Sequence, residues 1–336
     1  MGVADRIVRV VMPLDVSAPP AARVSAVVVT YRNDACLWSC LEAALAEPEI
    51  GQVVVVDNGN DAEVSAELRQ RSADVRVRLI EGQGNVGFSR GCNLGAAAAD
   101  GDWLLFLNPD LTLRPGATAM LLQAAAGLRT PAVVGGRLFD QAGAEQRGGR
   151  RAVITPWRAA VAFSGLHRLG RLHPAFADPH WERQPAPPGP IPVGAVSGAL
   201  LLMRTRDYRA LGGFDEGYFL HVEDLDLCRR ALDAGGEVVF QPAAEGVHIG
   251  CASDASSMFV ERCKAQGFAR YFRRFARTPG ERAAAALLTP LLYGLFLARG
   301  ALKGKGGRRS AGSPPAGGAA SSSSPPRSRH LSRVRA

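Results

Sequence analysis

Ser25-Ala26-Val27-Val28-Val29-Thr30 and Gln52-Val53-Val54-Val55-Val56-Asp57 are the stretches whose reading decides the fold. Both are β-branched runs without polar alternation, the pattern of strands buried on both faces, and both end on a polar residue. Ala35–Ala46 between them has the Ala/Leu composition of a helix. The same alternation continues down the chain. Strands are expected at Val75–Ile80, Trp103–Leu107 and Ala132–Leu138, and helices at Asp61–Arg71, Phe88–Ala99 and Pro115–Leu128, the last with proline near its first turn. Such alternation predicts an α/β, Rossmann-like fold in which helices cover a mostly parallel sheet.

Residues 140–192, with several Pro, Gly and Arg residues, break the pattern and read as an irregular insertion between two halves of one domain. The strand Ala199–Arg204 resumes the sheet. Gly212–Gly213 and Gly235–Gly236 then punctuate a short helix beginning near Asp224, followed by a strand at Glu237–Gln241 and a helix from Met258 to Ala276. The domain is thus expected over residues 24–276, after a loose extension over residues 1–23 that lacks the continuous apolar run of a signal peptide. Residues 277–302 are an apolar segment in which Ala283–Ala298 is interrupted only by Thr289, Pro290 and Gly294. A bilayer span takes about 20 residues, so this shorter run reads as a helix at a membrane interface or one packed on the domain. The basic Ser/Pro/Gly/Arg tail, residues 303–336, is expected to be disordered.

With 336 residues and 47% hydrophobic composition, the chain can bury a substantial core. Much of its net charge of +9 is local, because Lys303, Lys305, Arg308, Arg309, Arg327, Arg329, Arg333 and Arg335 fall near the C-terminus. That cluster lacks interleaved aromatics, which argues against nucleic acid and for an anionic membrane surface. Cys36, Cys40, Cys92, Cys228, Cys251 and Cys263 show no C-x-x-C spacing and are expected to be reduced thiols of a cytoplasmic protein.

In open parallel sheets, ligands bind beyond the carboxyl ends of strands. Three such ends are polar here: Thr30-Tyr31-Arg32-Asn33, Asp57-Asn58-Gly59 and Asn108-Pro109-Asp110. Turn formation explains any one of them, while their recurrence points to a shared site. A fourth segment, running from Gly84-Asn85-Val86-Gly87-Phe88 to Asn93-Leu94-Gly95, sets glycines and asparagines around a helix start, where backbone N–H groups can approach a diphosphate or ribose. It lacks the G-x-G-x-x-G spacing of a nicotinamide fold. Asp110, directly after a hydrophobic strand, is a candidate to bridge a divalent cation, Mg2+ or Mn2+, to diphosphate oxygens. His248 either completes that metal site or is structural. The acids crowd between Gly213 and Cys228, where Asp224 at a helix start is the candidate general base. Glu223 is placed to orient Asp224 or bind the acceptor, and Asp226 to cap the helix or join the site.

As an ordered set, these residues resemble glycosyltransferase family 2, and in particular its rhamnosyltransferase-like members that build bacterial surface polysaccharides. The matching stretches are Val27-Val28-Val29-Thr30-Tyr31, Val56-Asp57-Asn58-Gly59, Asn85-x-Gly87-Phe88 through Asn93-x-Gly95, and Leu107-Asn108-Pro109-Asp110. Ser197-Gly198-Ala199, Gly212-Gly213-Phe214-Asp215-Glu216 and Glu223-Asp224-Leu225-Asp226-Leu227 complete it. The resemblance implies a GT-A fold with C-terminal helices. It implies that Thr30 and Asp57 contact the nucleotide and that Asn85 and Asn93 line the donor site. Tyr31, Asn58, Gly87, Phe88, Asn108, Ser197 and Gly198 are carried over as further substrate-binding positions. Asp110 matches the last acid of a metal motif, His248 a metal-binding histidine, and Asp224 the base of a single inverting displacement. Asn60, Arg90 and His221 depart from the family's usual residues and leave the donor sugar open. The implied partners are a nucleotide-diphosphate sugar, with dTDP-rhamnose the expected donor, and a glycan or polyprenyl-linked acceptor. The implied setting is cell-wall or polysaccharide synthesis at the inner face of the cell membrane. The alternative is a catalytically silent nucleotide-sugar-binding or membrane-recruiting protein.

Overall fold

The β-branched runs do bury both of their sides, in one large sheet. The computed structural model describes residues 23–32, 35–250 and 256–310, with side chains as far as Leu302. The expected extension up to residue 22, Asn33, Cys251 and the tail beyond residue 310 lie outside the described residues. Strands β1 (Val24–Thr30), β2 (Ile50–Asp57), β3 (Val77–Ile80) and β4 (Trp103–Leu107) alternate with helices α1 (Ala35–Ala46), α2 (Ala62–Arg71) and α3 (Phe88–Ala98). A short β5 (Leu111–Leu113), α4 (Ala117–Ala125) and β6 (Ala132–Phe139) follow. Next come β7 (Arg150–Arg151), α5 (Pro156–Ser164), two 3-10 turns (Leu166–Arg171 and Pro174–Phe176), β8 (Ile191–Pro192) and β9 (Ala195–Val196). β10 (Leu200–Arg204), α6 (Thr205–Ala210), α7 (Glu223–Asp233) and β11 (Glu237–His248) lead into α8 (Ser257–Phe275) and α9 (Pro279–Ser310).

The strand order is β3-β2-β1-β4-β10-β6-β11-β5, with β8 also on β11, while β7 and β9 form a separate pair. β1 to β4 are parallel, as are β6 and β11; β10 runs against β4 and β6, and β5 and β8 run against β11. The mostly parallel sheet expected from the sequence is present. Alternate residues feed two cores. Val27, Val29, Val54, Val56, Leu104 and Phe106 face α3, α7, α8 and α9. Ala26, Val28, Val53, Val55, Leu105 and Leu107 face α1 and α4.

Several expectations need correction. Helix α4 begins at Ala117, because Gly116 before it takes a left-handed φ of 81°. Val75 stands 99% exposed and outside β3. The stretch 140–192 is more ordered than expected: α5 starts where the Thr155 side chain accepts from Arg158 N and Pro156 opens the first turn, a capping signal legible in the sequence. β11 does not stop at Gln241. It slips register between Gln241 and Glu245 and runs on to His248, where it pairs with β5. Cys36 is disulfide-bonded, so the six cysteines are not all reduced thiols, although Cys40, Cys92, Cys228 and Cys263 are free and buried.

Helix α3 lies unusually close to the sheet because glycines face it. A Cβ on Gly95 would come within 2.4 Å of Val27 Cγ1, and one on Gly91 within 2.7 Å of Val29 Cγ1. These glycines therefore serve helix–sheet packing rather than approach to a ligand. Gly95→Ala is expected to destabilise the protein by about 1–3 kcal/mol through overpacking, despite alanine's helix preference of about 1 kcal/mol. Urea denaturation checks this, and unchanged or raised stability would mean that α3 does not sit so close.

Candidate active site

Because β1, β2 and β4 are neighbours running the same way, their carboxyl ends open on one edge. A cavity of about 320 Å3 lies there. Of the residues expected to form a site, Tyr31, Asn58, Asn85, Gly87, Phe88, Asn108, Asp110, Glu223 and His248 line it. Phe219, His221 and Phe259, which sequence reading did not assign to the site, complete the wall. Thr30, Asp57, Asn93, Ser197, Gly198 and Asp224 stand outside that lining.

Bracing accounts for several of these outer positions. Asp57 Oδ1 accepts from Gly59 N, Asn60 N and Asn60 Nδ2, each at 2.9 Å, and Oδ2 accepts from Ser65 Oγ at 2.6 Å. Its carboxylate thus organises the β2–α2 turn. Thr30 Oγ1 donates to Asn60 Oδ1 of the same turn at 3.3 Å. Asn93 uses its whole amide to tie α3 to the loop before α7: Nδ2 donates to Phe214 O at 2.9 Å, while Oδ1 accepts from Tyr208 Oη at 2.6 Å and Phe214 N at 3.0 Å. Asn58 Nδ2 donates to Gly87 O at 3.0 Å, which fixes the lip of the cavity. Gly87, at φ 85°, lets Phe88 N donate to Phe219 O at 2.7 Å; a Cβ there would meet that oxygen at 2.7 Å. The helix-start amide expected to face a diphosphate is spent on the protein's own chain. Asp226, fully buried, accepts from Tyr218 Oη at 3.2 Å and pairs with Arg230 and Arg274, so it anchors α7 and does not cap it.

The β5–β11 pairing sets His248 opposite Leu111, one residue from Asp110, and Ile249 N donates to Asp110 O at 2.9 Å. Gln146 clamps the imidazole: Nδ1 lies 2.7 Å from Gln146 Oε1, and Gln146 Nε2 donates to His248 O at 3.0 Å. An amide oxygen can only accept, so Nδ1 carries a hydrogen and Nε2 is the ring atom left to serve as a ligand. That nitrogen is 3.0 Å from Asp110 Oδ1 and 3.1 Å from Asn108 Nδ2. An aromatic nitrogen and a carboxylate oxygen held this close and facing each other are chemically suited to share a divalent cation. Among the described residues no third His, Cys, Asp or Glu joins them, so the protein's ligand set is thin. Gln146 carries no signal in the sequence, being one polar residue in a stretch without periodicity.

Glu223 and Asp224 open α7 after an unusual step. His221 and Val222 take φ of 68° and 78°. For a β-branched residue this conformation is costly and tends to be kept at functional sites. It separates the two carboxyls by environment. Asp224 Oδ2 accepts from Arg151 Nη2 at 2.6 Å and Gly198 N at 3.2 Å, and Oδ1 from Leu225 N at 2.7 Å. Glu223 is buried against the cavity with Oε2 lacking a hydrogen-bond partner. Burial first, and the negative Asp224 beside it second, push its carboxyl up to about 8. His221 is pushed down to about 4 by burial and by Lys264, which keeps the ring neutral. Arg151 was not foreseen, since nothing local ties residue 151 to residue 224.

Comparison with known proteins gives a consistent result. Residues 25–181 match the family model described as Glycosyl transferase family 2. The N-acetylglucosaminyl-diphospho-decaprenol L-rhamnosyltransferase of Mycobacterium tuberculosis is 32% identical over 244 residues, covering 66% of this chain and 74% of the relative. Rhamnosyltransferase WbbL of Escherichia coli is 25% identical, covering 66% and 81%. The mannosyltransferase PcManGT of Pyrobaculum calidifontis, solved with GDP-Man and Mn2+, aligns with a TM-score of 0.53 at 16% identity, covering 88% of this chain and 77% of that one. GalNAc-T7, solved with UDP, GalNAc and Mn2+, gives 0.53 at 15% identity and covers 78% and 51%. These structures establish the GT-A-like fold.

The raised Glu223 carboxyl links folding to pH. The folded protein holds this proton up to about pH 8, whereas the unfolded chain releases it near the ordinary 4.5, so wild-type stability falls as pH rises through that window. Glu223→Gln removes this slope. Thermal melts between about pH 5 and about pH 9 should show the variant gaining on wild type as pH rises, levelling off above about 8. A difference that stays constant with pH would mean Glu223 is not a buried acid.

Proposed function

We propose, from the premise that this chain belongs to glycosyltransferase family 2 and is a glycosyltransferase, that it moves a sugar with inversion from a nucleotide-diphosphate donor to a lipid-linked glycan acceptor. The donor best supported is dTDP-rhamnose, since relatives of this chain include rhamnosyltransferases. The acceptor is a polyprenyl-diphosphate-linked glycan, by analogy with the decaprenol-linked substrate in the mycobacterial relative's name. The reaction serves cell-surface polysaccharide or cell-wall synthesis at the inner face of the membrane. The observation that supports this reading is the meeting in one cavity of the facing pair Asp110 and His248, chemically suited to a cation, with the acidic start of α7.

Tyr31, Asn58 and Asn85 line the cavity on the side of β1, β2 and α3 and are proposed to hold the nucleotide, with Asp57 and Thr30 keeping the β2–α2 turn in shape. Asp110 Oδ1 and His248 Nε2 would hold Mg2+ or Mn2+, which supplies charge neutralisation to a departing diphosphate. Asp224 is proposed as the base. Its carboxylate faces Arg151 and keeps 14% of its side-chain surface open for an acceptor hydroxyl to approach. Glu223, neutral at pH 7, donates a hydrogen bond to a sugar hydroxyl. Two adjacent carboxyls with environments this different can divide acid and base roles between them. Removal of the acceptor proton as its oxygen attacks the anomeric carbon opposite the diphosphate gives inversion in one displacement.

A second reading exchanges the two acids, because Glu223 and not Asp224 lines the cavity. The pH–rate profile separates them. With Glu223 as base the rate climbs about tenfold per pH unit up to about 8, a rise that is absent where Glu223 has to stay protonated. Asp224→Asn should lower turnover by about a hundred- to ten-thousand-fold while leaving donor binding intact, as read by thermal shift with nucleotide sugars with and without Mn2+. Full turnover in this variant would remove Asp224 from the mechanism. Gln146→Leu should weaken Mn2+ binding by about ten- to a hundredfold in calorimetry, because the imidazole loses the partner that orients it.

A further inference from the structure

Large hydrophobic side chains exposed on this protein are not scattered. Among the described residues, apart from Val75, they are Trp157, Leu169 and Leu172 near α5, Phe219, Met258 and Phe259 near the cavity, and Leu287, Leu291 and Leu302 on α9. These groups adjoin one another through buried contacts. Phe296 of α9 packs between Phe163 of α5 and Phe268 of α8, with ring centroids 4.8 Å and 5.6 Å away. Gly300 of α9 abuts Met258 at the start of α8, and Phe259 beside it meets Phe219 edge-on at 5.8 Å. Phe219 and Phe259 are themselves walls of the cavity.

Helix α9 is two-faced in an informative way. Ala285, Leu292, Phe296 and Gly300 turn inward, whereas Leu287, Leu291, Gly294, Ala298 and Leu302, on the opposite side at helical spacing, are exposed. The outer face is apolar where a solvated helix would be charged. Pro279–Leu302 is long and apolar enough to cross a bilayer by length and composition. Crossing would strip Phe296 from its aromatic neighbours, so the helix lies along the domain. The surrounding charge names the occupant of its outer face. From Ser256 to Ser310 only Glu261 and Glu281 are acidic against many Arg and Lys residues, and no acid falls between Thr155 and Ala177. A second copy would bring like charge to like, whereas an anionic lipid surface complements it.

We propose that the outer face of α9 and the Phe219–Met258–Phe259 rim form one lipid-facing surface that seats the cavity mouth on an anionic bilayer. The inference rests on the reading above that the acceptor is lipid-linked, and it specifies how that acceptor arrives: its chain stays in the bilayer while its sugar enters past Phe259. The full chain should co-sediment with vesicles of phosphatidylglycerol and phosphatidylcholine in equal parts, less so at high salt, and not with phosphatidylcholine alone. Leu287→Glu with Leu291→Glu, both on the exposed face, should cut that binding by about tenfold or more without lowering the melting temperature. The double variant should keep transfer to a short-chain, water-soluble acceptor and lose it to a long-chain acceptor embedded in vesicles. Wild type that ignores anionic vesicles, or a double variant that binds them equally well, would overturn the proposal, as would a wild-type dimer that the double variant breaks. If neither acceptor is glycosylated, the enzymatic reading fails instead, and the vesicle result still decides the surface.

Discussion

Burial of the sheet on both faces is the constraint from which the rest follows. Val27, Val29 and Phe106 on one side and Val28, Val55 and Leu107 on the other leave no room for polar chemistry within the strands. Charged and amide side chains are therefore concentrated where the strands end. The parallel run of β1, β2 and β4 puts three of those ends on one edge, and α3, held close by Gly91 and Gly95, brings Asn85 and Phe88 to the same edge.

The second half of the domain supplies the groups proposed to react. β11 does not stop at Gln241, and beyond it Ala244 is still part of the core. Its continuation through a register slip to pair with β5 is what sets His248 beside Asp110. The left-handed step at His221 and Val222 similarly turns Glu223 into the cavity and Asp224 towards Arg151. Adjacent residues with the same functional group thus acquire different protonation chemistry from environment alone.

The architecture was legible because strand burial and helix alternation are local patterns: β4 and α1 match their expected bounds, and the other main elements, β11 excepted, fall within a few residues. Ranking within the site was less legible. Asn and Asp in loops look the same in sequence whether they bind a ligand or brace a turn, and only the cavity lining separates Asn58 and Asn85 from Asp57 and Asn93. Gln146 and Arg151 could not have been found, since each acts on a residue far along the chain, His248 and Asp224, from a segment without periodic signal. The apolar run near the C-terminus left an interfacial and a packed helix as alternatives. The structure packs α9 on the domain by one face and leaves the other exposed and apolar.

The central claim is a single displacement at the anomeric carbon, and the configuration of the transferred sugar tests it most directly. One-bond carbon–proton coupling at the anomeric centre of the purified product, compared with that of the nucleotide-sugar donor, reports it. The account predicts the opposite configuration in the product. A product that retains the donor's configuration would contradict it.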